Sequence, residues 1–294
     1  MEKAVYHLPG LFEFYDFYRK FLPIYREKTE YFYDWCQIGS LYGAPADCLW
    51  AGGRVSTGNA NPRQVLALTE EYGLSARLTF SNSLLCPEHL KDPKCNRLCA
   101  LFGAEPGNGV IVHSELLLDY LKEKYPNFYF VSSTTKVLTD FEDLAAETER
   151  PDFRYVVPDF RLNKAFDRLA GLKEKRKVEF LCNECCWPGC RERKECYENV
   201  SRKNLGEHCP DHICAASEGE KGYRFSAAMK NPAFIGIRDI RETYLPMGFS
   251  QFKIEGRGLG SAMLLEFILY YLTKPEYQLP LREEMYLDSM LDLF

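Results

Sequence analysis

Short apolar runs, each closed by a turn and followed by a helical pattern, recur along most of the chain after residue 35. Eight of them have the length and composition of strands: CQIGSLYG, DCLWAGGR, ARLTFSN, GVIVHS, FYFVSS, FRYVVPD, KVEFLCNE and FKIEGR. Several are apolar on both faces, which is typical of parallel strands buried between helices. This alternation predicts an α/β fold, most simply a (β/α)8 TIM-like barrel. An open doubly wound sheet is the main alternative, but no glycine-rich phosphate fingerprint follows any run.

The ends of this pattern define the predicted domain organisation. Leu11 and Tyr18 lie at helical spacing, so residues 1–35 are expected to form a helical extension before the barrel. Residues 182–230, after the seventh predicted strand, are polar and rich in cysteine and form an insertion. Because there is no internal repeat and no low-complexity linker, residues 1–294 are interpreted as a single barrel domain.

Capping signals mark the starts of two predicted helices. Asn61 and Pro62 open the helix NPRQVLALTEEY, and Gly73 follows its end. Ser114 is the expected N-cap of the helix ELLLDYLKEK. Further helices are predicted in four segments: DFEDLAAETER, NKAFDRLAGLKEK, IRDIRETYLPMG and GSAMLLEFILYYL.

The composition is that of an ordinary globular protein, with 46% hydrophobic and 27% charged residues. The formal net charge of -5 gives no global signal for binding nucleic acid. The N-terminal sequence lacks the basic start and apolar run of a signal peptide. No apolar stretch reaches the roughly 20 residues that a membrane helix requires. We therefore expect a cytoplasmic protein that does not associate with a membrane.

In a barrel of this kind, the residues at the C-terminal strand ends share one mouth, where the active site lies. The substrate-binding candidates at these ends are Arg54, Asn82, His113 and Asn183, and the catalytic candidates are Asp159, Glu184, Glu255 and Arg257. A structural role is the alternative for each of them. A polar residue at a strand end can cap the following helix, and Glu255 and Arg257 can pair with each other.

Cysteine is the other unusual feature, because seven of the twelve cysteines lie between Cys182 and Cys214. In a reducing compartment, clustered thiols more often bind metal than form disulfides. The Pro-Gly turn between Cys186 and Cys190 can direct both sulfurs to one centre, and Cys209 forms a second pair with Cys214. Four thiolates suit either tetrahedral zinc or a [4Fe-4S] cluster. Metal–thiolate bonds would also stabilise an insertion that lacks a core of its own.

Several motifs occur together and in order along the chain. FKIEGR, a strand that ends in NE just before a C-x3-C pair, and an R-x-x-x-Y segment soon after it resemble the collagenase-like peptidase family U-32. IGSLYG, LWAGGR, VPDFRLN and NECCWPGCRERKECY are similar to segments of small prokaryotic barrels related to that family. The resemblance extends from about Gln37 to Gly258.

The resemblance implies a cofactor and a class of chemistry. Several members of the family are cytosolic [4Fe-4S] proteins that support oxygen-independent hydroxylation of RNA bases or of the aromatic ring of a quinone precursor. On this basis Cys186 and Cys190 are the expected cluster ligands. Glu255 and Arg257 match the signature in the mouth. The candidates for the remaining ligands are Cys209, Cys214 and the more distant Cys95.

The sequence therefore supports two hypotheses of different classes. The first is a [4Fe-4S]-dependent enzyme that performs redox or Lewis-acid chemistry on a small aromatic or nucleobase-like substrate, either a small molecule or RNA, with an electron-donor protein as partner. The second is a zinc-stabilised barrel without catalysis, which binds RNA or protein through the basic runs at 173–177 and 191–194. A peptidase has less support, because HExxH, GxSxG and Cys/His nucleophile signatures are absent.

Overall fold

Eight parallel strands form a nearly closed barrel in the computed structural model, which describes residues 2–53, 58–214, 216 and 223–291. The strands are β1 (Ala4–Pro9), β2 (Cys36–Gly43), β3 (Ser75–Phe80), β4 (Gly109–Val112), β5 (Tyr129–Ser132), β6 (Phe153–Val156), β7 (Glu179–Leu181) and β8 (Gln251–Lys253). The helices are α1 (Tyr15–Glu27), α2 (Pro62–Glu71), α3 (Pro93–Phe102), α4 (Glu115–Lys124), α5 (Phe141–Glu149), α6 (Phe166–Leu169), α7 (Arg193–Asn204), α8 (Phe225–Ala228), α9 (Ile237–Asp239), α10 (Ser261–Tyr271) and α11 (Gln278–Leu291). A π-helix (Ile240–Tyr244) continues α9.

The strand order confirms the predicted TIM-like barrel. Neighbouring strands follow the order β6-β5-β4-β3-β2-β1-β8-β7, and every pairing is parallel. A single parallel bridge between Val156 and Val178 joins the β6 and β7 ends of the sheet. Since the chain alternates strands with helices, the helices pack around the outside of the barrel. The cysteine-rich insertion follows the seventh strand, as predicted.

The predicted helix caps are confirmed by hydrogen bonds. The Asn61 side chain accepts from the backbone N–H of Arg63 at 2.9 Å, directly before Pro62 at the start of α2. The Ser114 hydroxyl accepts from the backbone N–H of Leu117 at the start of α4. Both caps satisfy a backbone donor that the first turn of a helix otherwise leaves unpaired.

The prediction that the N-terminal residues form an extension is wrong. They do contain a helix, α1, but it is preceded by β1, which lies in the barrel between β2 and β8. Tyr6 and Leu8 of β1 are buried in the main hydrophobic core, whereas His7 forms polar contacts with Ser40 and Gln251 on neighbouring strands. Because His7 interrupts the apolar run of this strand, it departs from the two-sided apolar pattern expected of a buried parallel strand.

DCLWAGGR is not a strand, which makes one of the eight predicted strands wrong. The structure still has eight described strands because β1, which was not predicted, takes its place. The described residues of DCLWAGGR, 47–53, lie in a loop after β2. The loop is apolar because it is buried in the core: Trp50 is fully buried, and its indole N–H donates to the carbonyl of His89 at 2.8 Å. The helix predicted in NKAFDRLAGLKEK is also shorter than expected, since only Phe166–Leu169 is helical.

The core has an outer and an inner part. The outer part fills the space between the barrel and its helices, whereas the inner part is a small apolar layer of Tyr42, Ile111, Val131, Val157 and Leu181. Charged side chains from the strand starts, including Arg77 and Glu179, are buried beneath this layer. No helix among the described residues has the length and apolar character needed to cross a membrane.

Candidate active site at the barrel mouth

Polar side chains predicted for the mouth follow the C-terminal ends of the barrel strands. They come after β3, β4, β6, β7 and β8, and the described members are Asn82, His113, Asp159, Asn183, Glu184, Glu255 and Arg257. Arg54, the remaining candidate, lies outside the described residues. The strands are parallel, so all these ends meet at one rim, where barrel enzymes place their active sites.

A cavity of about 50 Å³ opens inside this rim. Of the described candidates, only Glu255 and Arg257 line it. Tyr42, Ile111 and Lys253 come from within strands and form its floor, while Tyr197 of α7 lies at its outer side. Hydroxyl-bearing side chains from the end of β3, from the residue after it and from the segment after β5 complete the wall: Thr79, Ser81, Ser133, Thr134 and Thr135.

Two buried cations line this cavity. The Lys253 ammonium lies 3.6 Å from the centre of the Tyr42 ring and 3.4 Å from Oε1 of Glu179. Burial lowers the pKa of Lys253 to about 8, although Glu179 opposes the shift. Burial also lowers the pKa of Arg257. Lys253 was not among the predicted site residues, yet it is the lysine of the FKIEGR motif, which was a usable signal.

The catalytic candidates Asp159 and Glu184 are buried in an ionic network beside the cavity. Asp159 Oδ1 accepts from Arg161 Nε at 2.6 Å, and Asp159 Oδ2 accepts from Arg161 Nη2 at 3.1 Å. Glu184 Oε2 accepts from Arg193 Nη2 at 2.7 Å, and Arg193 Nε lies 3.4 Å from Asp159 Oδ2. Because both carboxylates are paired with guanidinium groups, this geometry suits positioning better than proton transfer.

Arg193 is a site residue that was predicted only as part of a basic contact run for RNA or protein. It belongs to the basic segment 191–194, yet its side chain is only 3% exposed. The guanidinium lies 4.8 Å from the Phe160 ring centre and 5.2 Å from that of Tyr197, one helical turn further along α7. The R-x-x-x-Y spacing of Arg193 and Tyr197 therefore reflects a stacked pair on one helix face.

The amide candidates hold backbone segments of the rim in place. Asn183 donates to the carbonyl of Glu255 at 2.9 Å and accepts from its N–H at 2.7 Å, which joins the ends of β7 and β8. Asn82 donates to the carbonyls of Leu49 at 3.0 Å and Ser201 at 3.2 Å. Both amides thus fix the shape of the mouth through contacts with the chain itself.

His113 lies on the opposite side of the rim from Arg257 in strand order. Its Nδ1 is 2.8 Å from the Thr135 hydroxyl. Burial and the charges of Lys136 and Lys194 lower its pKa to about 4, so the imidazole is neutral near pH 7. A neutral imidazole that is hydrogen-bonded to a hydroxyl of the cavity wall can orient that wall.

Helix α7 of the insertion lies across the mouth. Ser201, which is fully buried, contacts the loop after β3, where its hydroxyl accepts from the N–H of Ser83 at 3.2 Å. Asn204 donates to the carbonyl of Ala51 at 2.5 Å. At the other end of the helix, Arg193 joins the carboxylates of the rim. The insertion is therefore attached to the barrel at both ends of α7 and covers the cavity with Tyr197.

The predicted ligands Cys186 and Cys190 lie in one turn beside this network. The N–H of Cys190 donates to the carbonyl of Trp187 at 3.0 Å, which closes the turn. Arg161 donates to the carbonyl of Cys190 at 2.8 Å, and Asn231 donates to that of Cys186 at 3.0 Å. Both thiols are partly exposed, and their turn is fixed by the arginine that also pairs with Asp159.

The second predicted pair is less compact. Asn199 of α7 donates to Cys209 Sγ at 3.6 Å and to the carbonyl of Pro210 at 2.8 Å, so the segment after α7 returns along the helix. Asn199 comes one turn after Cys196, which places Cys209 near the helix face that carries Cys196. Cys214 is exposed.

Cys95 lies on α3, where its sulfur is 3.2 Å from that of Cys48, and both are buried. Within the residues that the structure describes, no cysteine forms a disulfide. Within the same residues, no group of three or more His, Cys, Asp or Glu side chains is arranged so that it could hold a metal ion.

The fold and the site define a class: a (β/α)8 barrel whose C-terminal mouth is covered by a thiol-rich insertion. Among solved structures, the chain is similar to the U32 peptidase Mk0906, with a TM-score of 0.54 over 86% of this chain and 92% of that chain. The sequence identity is 14%, so the likeness is one of fold. The family resemblance seen in the motifs is thereby confirmed at the level of the fold. No known family profile and no curated protein matches the sequence.

Proposed function

We propose that this chain is a barrel enzyme whose cysteine-rich insertion binds a [4Fe-4S] cluster beside the mouth, and that it acts there on a small aromatic or nucleobase-like substrate. The main support is the position of the turn formed by Cys186 and Cys190. Arg161 connects this turn to Asp159 at the rim, and α7 extends from the same region over the cavity. A cluster held by the turn would therefore lie next to the substrate.

The residues of the insertion fit a thiolate-bound group. Cys186 and Cys190 would supply two ligands, and Cys209, Cys196 and Cys214 are the candidates for the others. Glu184 and, to a smaller extent, Tyr197 and Cys186 raise the pKa of Arg193 against the effect of burial, so the Arg193 cation lies near the Cys186 thiol. In α7 only Arg193 and Ser201 are buried, so bonds to a metal would stabilise a segment with little apolar contact. When bound, the cluster would supply an electron-transfer or Lewis-acid centre.

The chain's own residues would bind the substrate and exclude water. Glu255 and Arg257 line the cavity, and Arg257 is suited to holding a polar group in a fixed orientation. A cavity of about 50 Å³ is smaller than an aromatic ring, so a ring must displace Tyr197 or bind between it and the rim. Tyr197 is adjacent to Cys196 on α7, so a substrate that displaces Tyr197 would lie beside the thiols of the insertion.

Anaerobic purification with analysis of iron, sulfide and zinc tests this function. We expect a brown protein with a broad absorbance near about 400 nm, as [4Fe-4S] centres give. Cys186→Ser and Cys190→Ser should each lose most of the iron. Cys36→Ala is the matched control, because Cys36 is buried at the start of β2 and its thiol donates to the carbonyl of Tyr271.

The possible results separate the two functions. Loss of iron in both serine variants but not in Cys36→Ala supports the cluster and its two ligands. Full iron content in both serine variants contradicts the ligand assignment. A colourless protein with one zinc supports a zinc-stabilised barrel instead, for which His212, beside Glu192 in the segment that returns along α7, would be a further ligand.

A further inference from the structure

Five buried polar atoms around the mouth cavity have no hydrogen-bond partner among the described residues. They are Thr79 Oγ1, Ser81 Oγ, Thr134 Oγ1, and Nε and Nη2 of Arg257. All four of these residues line the same cavity. Buried polar groups in folded proteins are almost always paired, so their concentration around one space indicates a ligand that pairs with them.

The two unpaired nitrogens of Arg257 define the shape of that ligand. Nε and Nη2 form one edge of the guanidinium, and their N–H bonds point in parallel, which matches the two oxygens of a carboxylate. The side chain is 4% exposed. Glu255 and Glu13 lie near enough to raise the pKa of Arg257, but neither hydrogen-bonds to this edge. This Nε–Nη2 edge, the fork of Arg257, is thus buried and charged, and neither nearby carboxylate accepts a hydrogen bond from it.

The unpaired hydroxyls approach from two sides of the cavity. Thr79 and Ser81 are two residues apart on and after β3, so both point to the inside of the barrel. Thr134 lies in the turn after β5, and its neighbours Ser133 and Thr135 are already hydrogen-bonded to each other at 2.9 Å. The cavity therefore contains three available hydroxyls in addition to the fork of Arg257.

Size and charge restrict the ligand further. A volume of about 50 Å³ holds roughly four water-sized atoms, which is enough for a carboxylate and the carbon that bears it but not for a ring. Lys253 and Arg257 bring two cationic groups to the lining and Glu255 brings one carboxylate. Among the lining residues the cations outnumber the carboxylates, and the unpaired donors of Arg257 face the cavity, which favours an anionic ligand.

We propose that this cavity is a carboxylate-binding subsite, in which the Nε–Nη2 edge of Arg257 binds both oxygens and the hydroxyls of Thr134 and Ser81 donate to them. The ligand class is a small organic acid whose remaining part extends out of the mouth towards Tyr197. As a statement about the substrate, this inference rests on the proposed function. As a statement about binding, it does not depend on what the cysteines hold.

Titration of the purified full-length protein with benzoate, acetate and inorganic phosphate, at constant ionic strength with chloride as the reference, tests the subsite. We expect benzoate and acetate to bind saturably by calorimetry and to raise the melting temperature. Arg257→Lys keeps the charge but loses the fork, so it should weaken benzoate binding at least about tenfold. Thr134→Val should weaken it about threefold or more.

A stability measurement distinguishes a ligand-binding hydroxyl from a structural one. Thr134→Val replaces an unpaired hydroxyl with a methyl group, so the melting temperature without ligand should stay the same or rise. Thr148→Val is the matched control, because the buried Thr148 hydroxyl donates to the carbonyl of Ala145 at 2.8 Å. This control should melt at a lower temperature and bind benzoate as the wild type does.

Three results would overturn the subsite: no saturable binding of either carboxylate, equal affinity in Arg257→Lys, or saturable binding of phosphate alone. None of these experiments measures turnover or iron. Failure of the subsite therefore leaves the proposed function in place, whereas failure of the iron analysis leaves the subsite in place.

Discussion

Two arginines are buried inside the same barrel, and their surroundings differ. Arg77, near the start of β3, donates to Glu179 at 2.5 Å and to the Tyr129 hydroxyl at 2.8 Å, and its third nitrogen lies 3.4 Å from His7. Arg257, at the mouth, has two nitrogens without a partner among the described residues. Both side chains are at most 4% exposed, so burial alone does not explain the difference.

The difference separates stability from binding. A buried cation that is fully paired holds its neighbours in one arrangement, and removal of one member leaves the other uncompensated. A buried cation with unpaired donors destabilises the ligand-free fold. A ligand that pairs with these donors removes that cost, which favours binding. The lower part of the barrel therefore behaves as a structural core made of charges, and the mouth behaves as a preorganised binding site.

The largest expected effect follows from removing Arg77 from the lower part of the barrel, the paired end, where Arg77 is bound to Glu179. Arg77→Met leaves the carboxylate of Glu179 buried without its main partner, so the free energy of unfolding should fall by about 3–5 kcal/mol. Arg257→Met removes donors that have no partner, and should change it by about 1 kcal/mol or less. Urea unfolding monitored by circular dichroism measures both. Equal losses in the two variants would mean that both arginines are structural.

The two arginines differ in how far their positions could be predicted from the sequence. Arg257 and Glu255 were placed at the mouth because they end an apolar strand, and strand ends are marked by local pattern. Arg77 was missed, since a charge inside the barrel interrupts the apolar pattern without showing where its partner is. Glu179 lies 102 residues further along the chain, a pairing that only the closed sheet creates.

The same limit applies to the insertion and to the first strand. Whether Arg193 faces solvent or the rim is decided by Asp159 and Glu184 on other segments, so its basic neighbours suggested a surface. His7 made β1 look unlike a barrel strand for the same reason as Arg77. Local signals were sufficient to predict structure that depends only on neighbours in sequence. Examples are the caps Asn61 and Ser114 and the turn between Cys186 and Cys190.

A second, smaller effect is a loss of stability in acid that originates at the paired end. Burial and the charge of Arg77 lower the pKa of His7 to about 3, although Glu179 and the hydrogen bond to Gln251 oppose the shift, and Lys253 adds to it. An unfolded histidine titrates near about 6.5, so between these values the unfolded chain binds a proton that the folded chain does not. Stability should therefore fall as the pH drops from about 6.5 towards 3, by up to about 1.4 kcal/mol per pH unit.

His7→Gln should flatten this dependence, as measured by urea unfolding at pH 4.5, 5.5 and 6.5. His113→Gln should remove a similar part of the slope over this range, because its pKa of about 4 also lies below pH 4.5. A further measurement at pH 3.5 separates the two histidines, since the contribution of His113 ends at higher pH than that of His7. If His7→Gln keeps the wild-type slope, the contribution assigned to His7 is wrong.

The smallest expected effect concerns Lys253, which lies between the two regions. Burial lowers its pKa to about 8, Glu179 and Glu255 oppose the shift, and Arg77 adds to it. Below this pH the ammonium adds a positive charge to the cavity floor, and above it the charge is lost, so benzoate should bind a few-fold more weakly at pH 9 than at pH 7. Tyr42, whose ring it contacts, has a pKa raised well above its ordinary value by burial and does not titrate in this range. Calorimetry with Lys253→Met should show one affinity at both pH values; an unchanged pH dependence in this variant would assign the titration to another group.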